Sequence, residues 1–189
     1  MGMPQQAARW TAAMVRALPE DGNRYEVVDG ELLVTPAPSE LHQRAAFLLG
    51  VLLDQYIRAL GMGEAHLSPA DIELDAHGMV QPDAFVQGLV QGRPSKAWNT
   101  GAPLLLVVEV VSPSTARADR TAKRRRYQRA GIPEYWVVDV DARVIERWRS
   151  ADERPEVLGE SLSWQPAGAT QALTVDLAGL FARIHGEAL

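Results

Sequence analysis

The chain has 189 residues, no cysteine and a formal net charge of −5 at pH 7. This length allows one domain with a sizeable core, and the missing cysteine excludes disulfides, zinc–thiolate sites, iron–sulfur clusters and thiol catalysis. The acidic balance argues against a protein that coats nucleic acid non-specifically, although a local basic surface is compatible with it.

The N-terminal residues show no targeting or membrane signal. Residues 1–16 lack the basic start and long apolar block of a secretion signal. No apolar stretch reaches the ~20 residues that a membrane-spanning helix needs. We therefore expect a cytoplasmic protein without a membrane segment, forming a single domain over residues 1–189, with residues 1–22 as an N-terminal helical segment.

The first elements are a short helix and a hairpin. Apolar residues at helical spacing predict a helix over residues 5–18, ended by Pro19. Residues 25–35, YEVVDGELLVT, contain two strand-like runs around Asp29 and Gly30, a dipeptide that favours a tight hairpin turn. We expect an N-terminal β-hairpin here.

The longest helical pattern covers residues 40–60, with Ser39 as its N-cap. Gly61 and Gly63 are expected to end this helix. Three strands are then predicted, over residues 70–75, 80–86 and 104–111. Residues 87–103, between the last two strands, are expected to form a loop.

A helix over residues 117–130 follows, ended by Gly131 and Pro133. Strands are predicted over residues 134–139 and 143–149. The tail contains a hairpin pattern around residues 159–166 and a short helix over residues 176–181. This order of elements predicts an α/β fold with a mixed central sheet flanked by helices.

One acidic residue interrupts the most apolar run of the chain. Residues 104–111, LLLVVEVV, are typical of a strand buried on both faces, because the apolar residues are continuous. Glu109 lies near its end. Burying an unpaired carboxylate is unfavourable or forces it to take up a proton, so a cation, a metal ion or strong donors are expected beside it. An ordinary ion pair with an arginine is the alternative.

A second acid, Asp83, follows a proline in VQPDAFV, and proline favours a strand start or edge. If the strand over 80–86 lies beside the strand over 104–111, Asp83 and Glu109 converge. Two neighbouring carboxylates need a cation, and oxygen ligands suit Mg²⁺ or Mn²⁺. Alternatively, Asp83 is an ordinary turn or cap residue.

The predicted helix RADRTAKRRRYQRAG is densely cationic in an acidic chain. Lys123 and Tyr127 lie one turn apart on the same face, whereas Arg124 and Arg125 point elsewhere. Most of these arginines are expected to form a solvated face. Lys123 is the cation expected to turn inward toward the two acids.

The segments QPD, LLLVVEVVSPST and DRTAKRRRYQRAGIPEYWVVD closely resemble the Uma-type restriction endonuclease family, first catalogued as a domain of unknown function. This family belongs to the PD-(D/E)XK nuclease superfamily. YEVVDGELLVTPAPSELHQRA and ALTVDLAGLF resemble its N-terminal block and its usual ending, so the resemblance covers about residues 23–183. It implies a restriction-endonuclease-like core.

Carried over by position, Asp83 matches the aspartate of the PD motif and Glu109 the acidic residue of (D/E)XK. Val111 stands where the motif expects lysine. The resemblance implies that this lysine has moved to the next helix, as Lys123. His42 matches a position where the family often has histidine, and is either an auxiliary polar group of the site or a structural hydrogen-bonding residue.

The resemblance implies an endonuclease that hydrolyses phosphodiester bonds, in DNA, with Mg²⁺ or Mn²⁺ as cofactor. The ion would bind Asp83, Glu109 and the main-chain carbonyl of Val110. Lys123 would orient the attacking water or stabilise charge on the phosphate.

Tyr127 joins His42 as an expected auxiliary residue, and Arg120 and Arg124 are expected to contact nucleic acid. Cleavage of two strands usually needs two sites, which makes a homodimer an expected assembly.

Two other functions are compatible with the sequence. The chain could be a nucleic-acid-binding or interaction module that keeps a nuclease fold without catalysis, its arginine-rich helix binding phosphate. It could also hydrolyse another small phosphate ester, with Asp75, His77 and Asp83 as donors, although Asp75 and His77 are common turn residues.

Overall fold

The structure is a computed structural model that describes residues 9–95, 98 and 101–187. The helices are α1 (Ala12–Arg16), α2 (Glu40–Ala59), α3 (Ala116–Ala118), α4 (Arg124–Arg129) and α5 (Leu177–His185). A π-helical turn, Asp119–Lys123, joins α3 to α4. The strands are β1 (Arg24–Val28), β2 (Glu31–Thr35), β3 (Gly63–Leu67), β4 (Ile72–Asp75), β5 (Gly78–Val80), β6 (Ala84–Gly88), β7 (Leu104–Val110), β8 (Glu134–Asp139), β9 (Val144–Arg149), β10 (Glu156–Leu158), β11 (Ser161–Trp164) and β12 (Leu173–Asp176).

The N-terminal hairpin forms as the sequence predicts. β1 and β2 pair antiparallel, and Asp29 and Gly30 between them have positive φ angles of 55° and 84°. Two positive φ angles in succession suit the twist of a tight hairpin. The helix predicted over residues 5–18 is shorter, since α1 covers five residues, and residues 5–8 lie outside the described residues.

Helix α2 also follows the prediction, with the Oγ of Ser39 accepting a hydrogen bond from the N–H of His42 at 3.3 Å. The helix ends before Gly61, which has a positive φ of 62°. Gly63 does not end the helix as expected. It is the first residue of β3, a strand that the sequence did not predict.

A mixed six-stranded sheet forms the centre, in the order β10-β9-β8-β7-β6-β3. β7 and β8 are parallel and the other pairs are antiparallel. Residues of α2 and α5 pack on one face of this sheet, and α4 with the N-terminal strands covers the other. Burial on both faces explains the continuous apolar sequence of β7. The predicted mixed sheet flanked by helices is confirmed.

A second, four-stranded sheet has the order β2-β1-β5-β4. The strand predicted over residues 80–86 is wrong as a single element: β5 ends in this sheet at Val80, and β6 begins in the central sheet at Ala84. Pro82, which has no N–H to donate, lies in the connection. The change of sheet places Asp83 where the two sheets meet.

The hairpin expected around residues 159–166 is also wrong. β10 pairs with β9 in the central sheet, whereas β11 pairs with β12 in a separate two-stranded sheet. The final helix, α5, is longer than expected and has Asp176 at its N-cap position. In the described parts of the chain, no helix has the length and apolarity needed to cross a membrane.

Candidate active site

Asp83 and Glu109 lie at the same end of neighbouring strands. In the antiparallel pairing of β6 with β7, Ala84 is opposite Val108. Asp83, one residue before Ala84, is therefore level with Glu109, one residue after Val108. The predicted convergence of the two acids is confirmed as geometry, and their catalytic role stays a prediction.

Asp83 is buried, and several donors surround its carboxylate. Oδ1 accepts a hydrogen bond from Nη1 of Arg24 at 2.8 Å, and Oδ2 accepts one from the N–H of Val110 at 2.8 Å. Nε2 of His42 lies 3.1 Å from Oδ2. Burial alone would raise the pKa of Asp83, but His42 and Arg24 outweigh it and lower this pKa below its usual value. Asp83 is held as an ionised carboxylate.

Glu109 is 2% exposed, and its surroundings disfavour the ionised form of its carboxylate. Its Oε1 accepts hydrogen bonds from the hydroxyl of Tyr127 at 2.7 Å and from Nζ of Lys123 at 3.1 Å. Burial raises the pKa of Glu109 well above its usual value, Lys123 opposes this shift, and Asp119 and Asp83 add to it. A cation beside Glu109 would therefore stabilise its charged form.

Lys123 points into this site and is itself buried. Its Nζ lies 2.8 Å from Oε2 of Glu26, 3.1 Å from Oε1 of Glu109 and 3.4 Å from Oδ1 of Asp119. Burial lowers the pKa of Lys123, but these three carboxylates outweigh it and raise this pKa well above its usual value. Lys123 is thus a fixed positive charge, in the orientation that the migrated-lysine hypothesis requires.

Lys123 belongs to the π-helical turn between α3 and α4. Asp119 and Lys123, its first and last residues, are both buried. Tyr127 follows four residues later in α4 and reaches Glu109. π-Helical turns inside α-helices occur frequently at functional sites.

Sequence reasoning missed three charged residues of the site. Arg24 and Glu26 lie two residues apart on β1, which places both side chains on one face of the strand. Asp119 lies four residues before Lys123, a spacing that brings helical side chains together. That spacing was a readable signal, whereas the contacts of β1 depend on the tertiary fold.

The other predicted residues lie around the site or outside it. Val111 bonds through its N–H to the carbonyl of Val138 at 2.9 Å. Arg120 is within 2.7 Å of Asp139 and 2.6 Å of Glu146.

Arg124 donates to Oε1 of Gln128 at 2.7 Å, and its guanidinium lies 4.6 Å from the ring centre of Trp148. Nucleic-acid contact by Arg120 and Arg124 stays a prediction.

The donor set for a phosphate-ester hydrolase with Asp75 and His77 does not come together. His77 donates its N–H to Oδ1 of Asp75 at 2.9 Å, and Nδ1 of His77 lies 3.1 Å from the carbonyl of Trp10. Asp75 pairs with Arg126 at 2.5 Å. Both residues serve a turn, and neither lines the cavity that Asp83 lines.

The acids face a cavity of about 250 Å³. Its walls include both acids, Lys123, Glu26 and the loop 112–115. A groove of about 600 Å³ adjoins it, and the two share a set of wall residues, namely Arg24, Pro36, Ala37, Pro38, His42 and Asp83. The cavity that the acids line is therefore continuous with this groove.

The residues present fit a hard divalent cation. Asp83, Glu109 and Val110 all line the cavity, and carboxylate and carbonyl oxygens are the ligands that Mg²⁺ prefers. Among residues 9–95, 98 and 101–187, no three His, Asp or Glu side chains are grouped to hold an ion by themselves. Mg²⁺ commonly uses one or two carboxylates and takes its other ligands from water and substrate phosphates.

Comparisons with known proteins concern the fold and the family of the chain. A crystal structure from Anabaena variabilis ATCC 29413, described as a "putative nuclease belonging to DUF820", is similar with a TM-score of 0.76 and 18% identity, over 93% of this chain and 99% of that one. At this identity the similarity shows the fold. No curated protein matches the chain significantly. The family model Uma2, "Putative restriction endonuclease", matches residues 12–178, and the chain therefore belongs to the Uma2 family of restriction-endonuclease-like proteins.

Proposed function

We propose that this chain is an endonuclease that hydrolyses phosphodiester bonds in DNA and depends on Mg²⁺ or Mn²⁺. One observation carries the proposal: Asp83 and Glu109 lie level with each other on adjacent strands, and Nζ of Lys123 is 3.1 Å from Glu109. All three line one cavity. Membership of the Uma2 family supports the nuclease class.

Asp83, Glu109 and the carbonyl of Val110 would hold the metal ion. When bound, a divalent ion lowers the pKa of a water ligand and offsets charge on the phosphate. Arg24 and the N–H of Val110 keep the carboxylate of Asp83 in place. These contacts fix the acid before substrate arrives, which lowers the cost of ordering the site.

Lys123 would orient the attacking water or stabilise charge that develops on the phosphate oxygens. A buried ammonium in a fixed position is effective in this role, because it needs no reorganisation as charge develops. Burial raises the pKa of Tyr127 well above its usual value, so its hydroxyl donates to Glu109 and fixes that carboxylate. His42 contacts Asp83 in a similar supporting role.

Arg120 and Arg124 are half-buried, and we propose them as contacts to the nucleic-acid backbone. Loss of a phosphate contact lowers the dependence of log affinity on log salt concentration by about 1. We also propose a homodimer as the form that cleaves both strands. Sedimentation equilibrium with and without DNA measures this assembly.

A cleavage assay tests the proposal. Plasmid and single-stranded DNA are incubated with Mg²⁺ or Mn²⁺, and with EDTA, using the wild type, Asp83→Asn and Glu109→Gln. We expect cleavage that EDTA abolishes and a loss of about 100-fold or more in each variant. Glu134→Gln is the matched control. Glu134 is half-buried, is the first residue of β8 and accepts a hydrogen bond from Trp136.

Two outcomes would contradict the proposal. If Asp83→Asn cleaves at the wild-type rate, Asp83 is not part of the catalytic site. A wild type that binds DNA without a metal and never cleaves it would instead support the alternative of an inactive binding module.

A further inference from the structure

The buried cluster holds more acids than the proposed function uses. Glu26 and Asp119 are each 1% exposed, and both contact Lys123. A buried carboxylate is unfavourable unless it is paired and hydrogen-bonded. Glu109 also pairs with Lys123, so one ammonium contacts three carboxylates. The proposed function gives no role to Glu26 or Asp119.

Glu26 has two separate partners, one for each oxygen. Oε2 lies 2.8 Å from Nζ of Lys123, the shortest of the three carboxylate distances to this ammonium. Oε1 accepts a hydrogen bond from the N–H of Gln81 at 2.8 Å. Gln81 lies two residues before Asp83, so one carboxylate joins Lys123 to the segment that carries Asp83.

β1 also holds the same segment through a second side chain. Arg24, two residues before Glu26, donates to Oδ1 of Asp83 at 2.8 Å and to the carbonyl of Gln81 at 3.2 Å. β1 therefore presents a cation to Asp83 and an anion to Lys123 from one face. The N-terminal sheet forms part of the wall of the candidate site.

Asp119 is placed differently. It belongs to the same π-helical turn as Lys123 and lies 3.4 Å from its Nζ. Because the two residues move together with that turn, Asp119 cannot fix Lys123 relative to β6 or β7. Glu26 can, because it comes from a separate strand.

We propose that Glu26 is a positioning residue that fixes Nζ of Lys123 beside Glu109 and at a set distance from Asp83. Its carboxylate does so by binding the ammonium and the backbone of Gln81 at once. This inference rests on the proposed nuclease function.

Glu26→Gln tests the role with little change of shape, since glutamine keeps an oxygen acceptor for the N–H of Gln81 and removes the charge next to Lys123. We expect the single-turnover cleavage rate at saturating metal to fall about 10- to 100-fold, the scale of a small misplacement of a reacting group. The Kd for DNA should change by less than about twofold, the range of a neutral substitution. Glu134→Gln is again the matched control.

A double-mutant cycle shows whether Glu26 acts through Lys123. In a Lys123→Met background, we expect Glu26→Gln to change the remaining rate by less than about twofold. An equal loss in both backgrounds, or no loss in the wild-type background, would overturn the inference. If Lys123→Met does not fold, Lys123→Gln takes its place, because it removes the charge and keeps N–H donors.

Thermal unfolding of the same four proteins separates this inference from the proposed function. Glu26→Gln should lower the Tm of the wild type, because it removes an ion pair, and raise the Tm of Lys123→Met, because it removes one of three unpaired carboxylates. A change of the same sign in both backgrounds would overturn the pairing even in an active enzyme. Opposite signs in a protein that cannot cut DNA would overturn the proposed function and leave the pairing intact.

Discussion

The N–H of Val110 donates a hydrogen bond of 2.8 Å to Oδ2 of Asp83. Val110 directly follows Glu109, so the strand that carries one acid holds the other acid in place. The bond is buried, which makes it costly to break without a replacement. Asp83 thus has a structural role in addition to the proposed metal-binding one, and substitutions can separate the two.

Asp83→Asn and Asp83→Ala should differ in stability. Asparagine keeps an oxygen acceptor for the N–H of Val110, whereas alanine leaves this buried donor unpaired. An unsatisfied buried donor costs about 1–3 kcal/mol, so we expect Asp83→Ala to be less stable than Asp83→Asn by about that amount. Both should lose metal-dependent cleavage. Urea unfolding of the two variants measures the difference, and equal free energies of unfolding would show that the Val110 bond contributes little.

A second prediction concerns the pH dependence of stability near His66. Burial lowers the pKa of His66, with Glu64 opposing the shift, and the ring packs 5.2 Å from Phe85 and 4.7 Å from Trp98 between ring centres. Since the folded pKa lies below the unfolded value of about 6.5, the unfolded chain takes up the proton first as the pH falls. The contribution of neutral His66 is therefore complete above about pH 6.5 and is lost below it.

His66→Phe removes this titration and keeps an aromatic ring in the cluster. Urea unfolding between pH 8 and pH 5 should show a smaller loss of stability at acid pH in the variant than in the wild type. The comparison uses the difference between the two proteins, because the other three histidines are common to both. Parallel curves would mean that His66 does not contribute to the acid sensitivity.

Local sequence signals predicted the parts of the site that depend on single strands. Pro82 favoured a strand start or edge next to Asp83, and the continuous apolar run around Glu109 indicated a strand buried on both faces. The two acids were expected to converge if these strands were neighbours, and the structure pairs β6 with β7 so that Asp83 lies level with Glu109. Asp29 and Gly30 fixed the hairpin in the same way, because two positive φ angles favour these residue types.

The contacts of Glu26 could not be read locally, since Lys123 lies 97 positions later in the chain and nothing near either residue marks the other. They meet because the N-terminal sheet packs against α4. There, Asp29 at the hairpin turn is paired with Arg129 at 2.5 Å.

β3 was missed for another reason: its sequence, GEAHL, begins with glycine and lacks the alternation of apolar residues that marks a half-buried strand. Its position depends on pairing with β6.

Gly63, the first residue of β3, provides the last prediction. A Cβ at this position would lie 2.2 Å from the carbonyl oxygen of Gln87 and 3.2 Å from Cα of Gly88. These are backbone atoms of the paired strand β6, so they cannot move away without disturbing the sheet. We expect Gly63→Ala to lower the free energy of unfolding by about 1–3 kcal/mol, the usual cost of overpacking. Gly159→Ala is the matched control, because its nearest neighbour, Cγ1 of Val144, is 3.8 Å away, and its effect should stay within about 0.5 kcal/mol. Urea unfolding of both variants checks the difference, and equal losses would show that β3 and β6 are not packed this closely at Gly63.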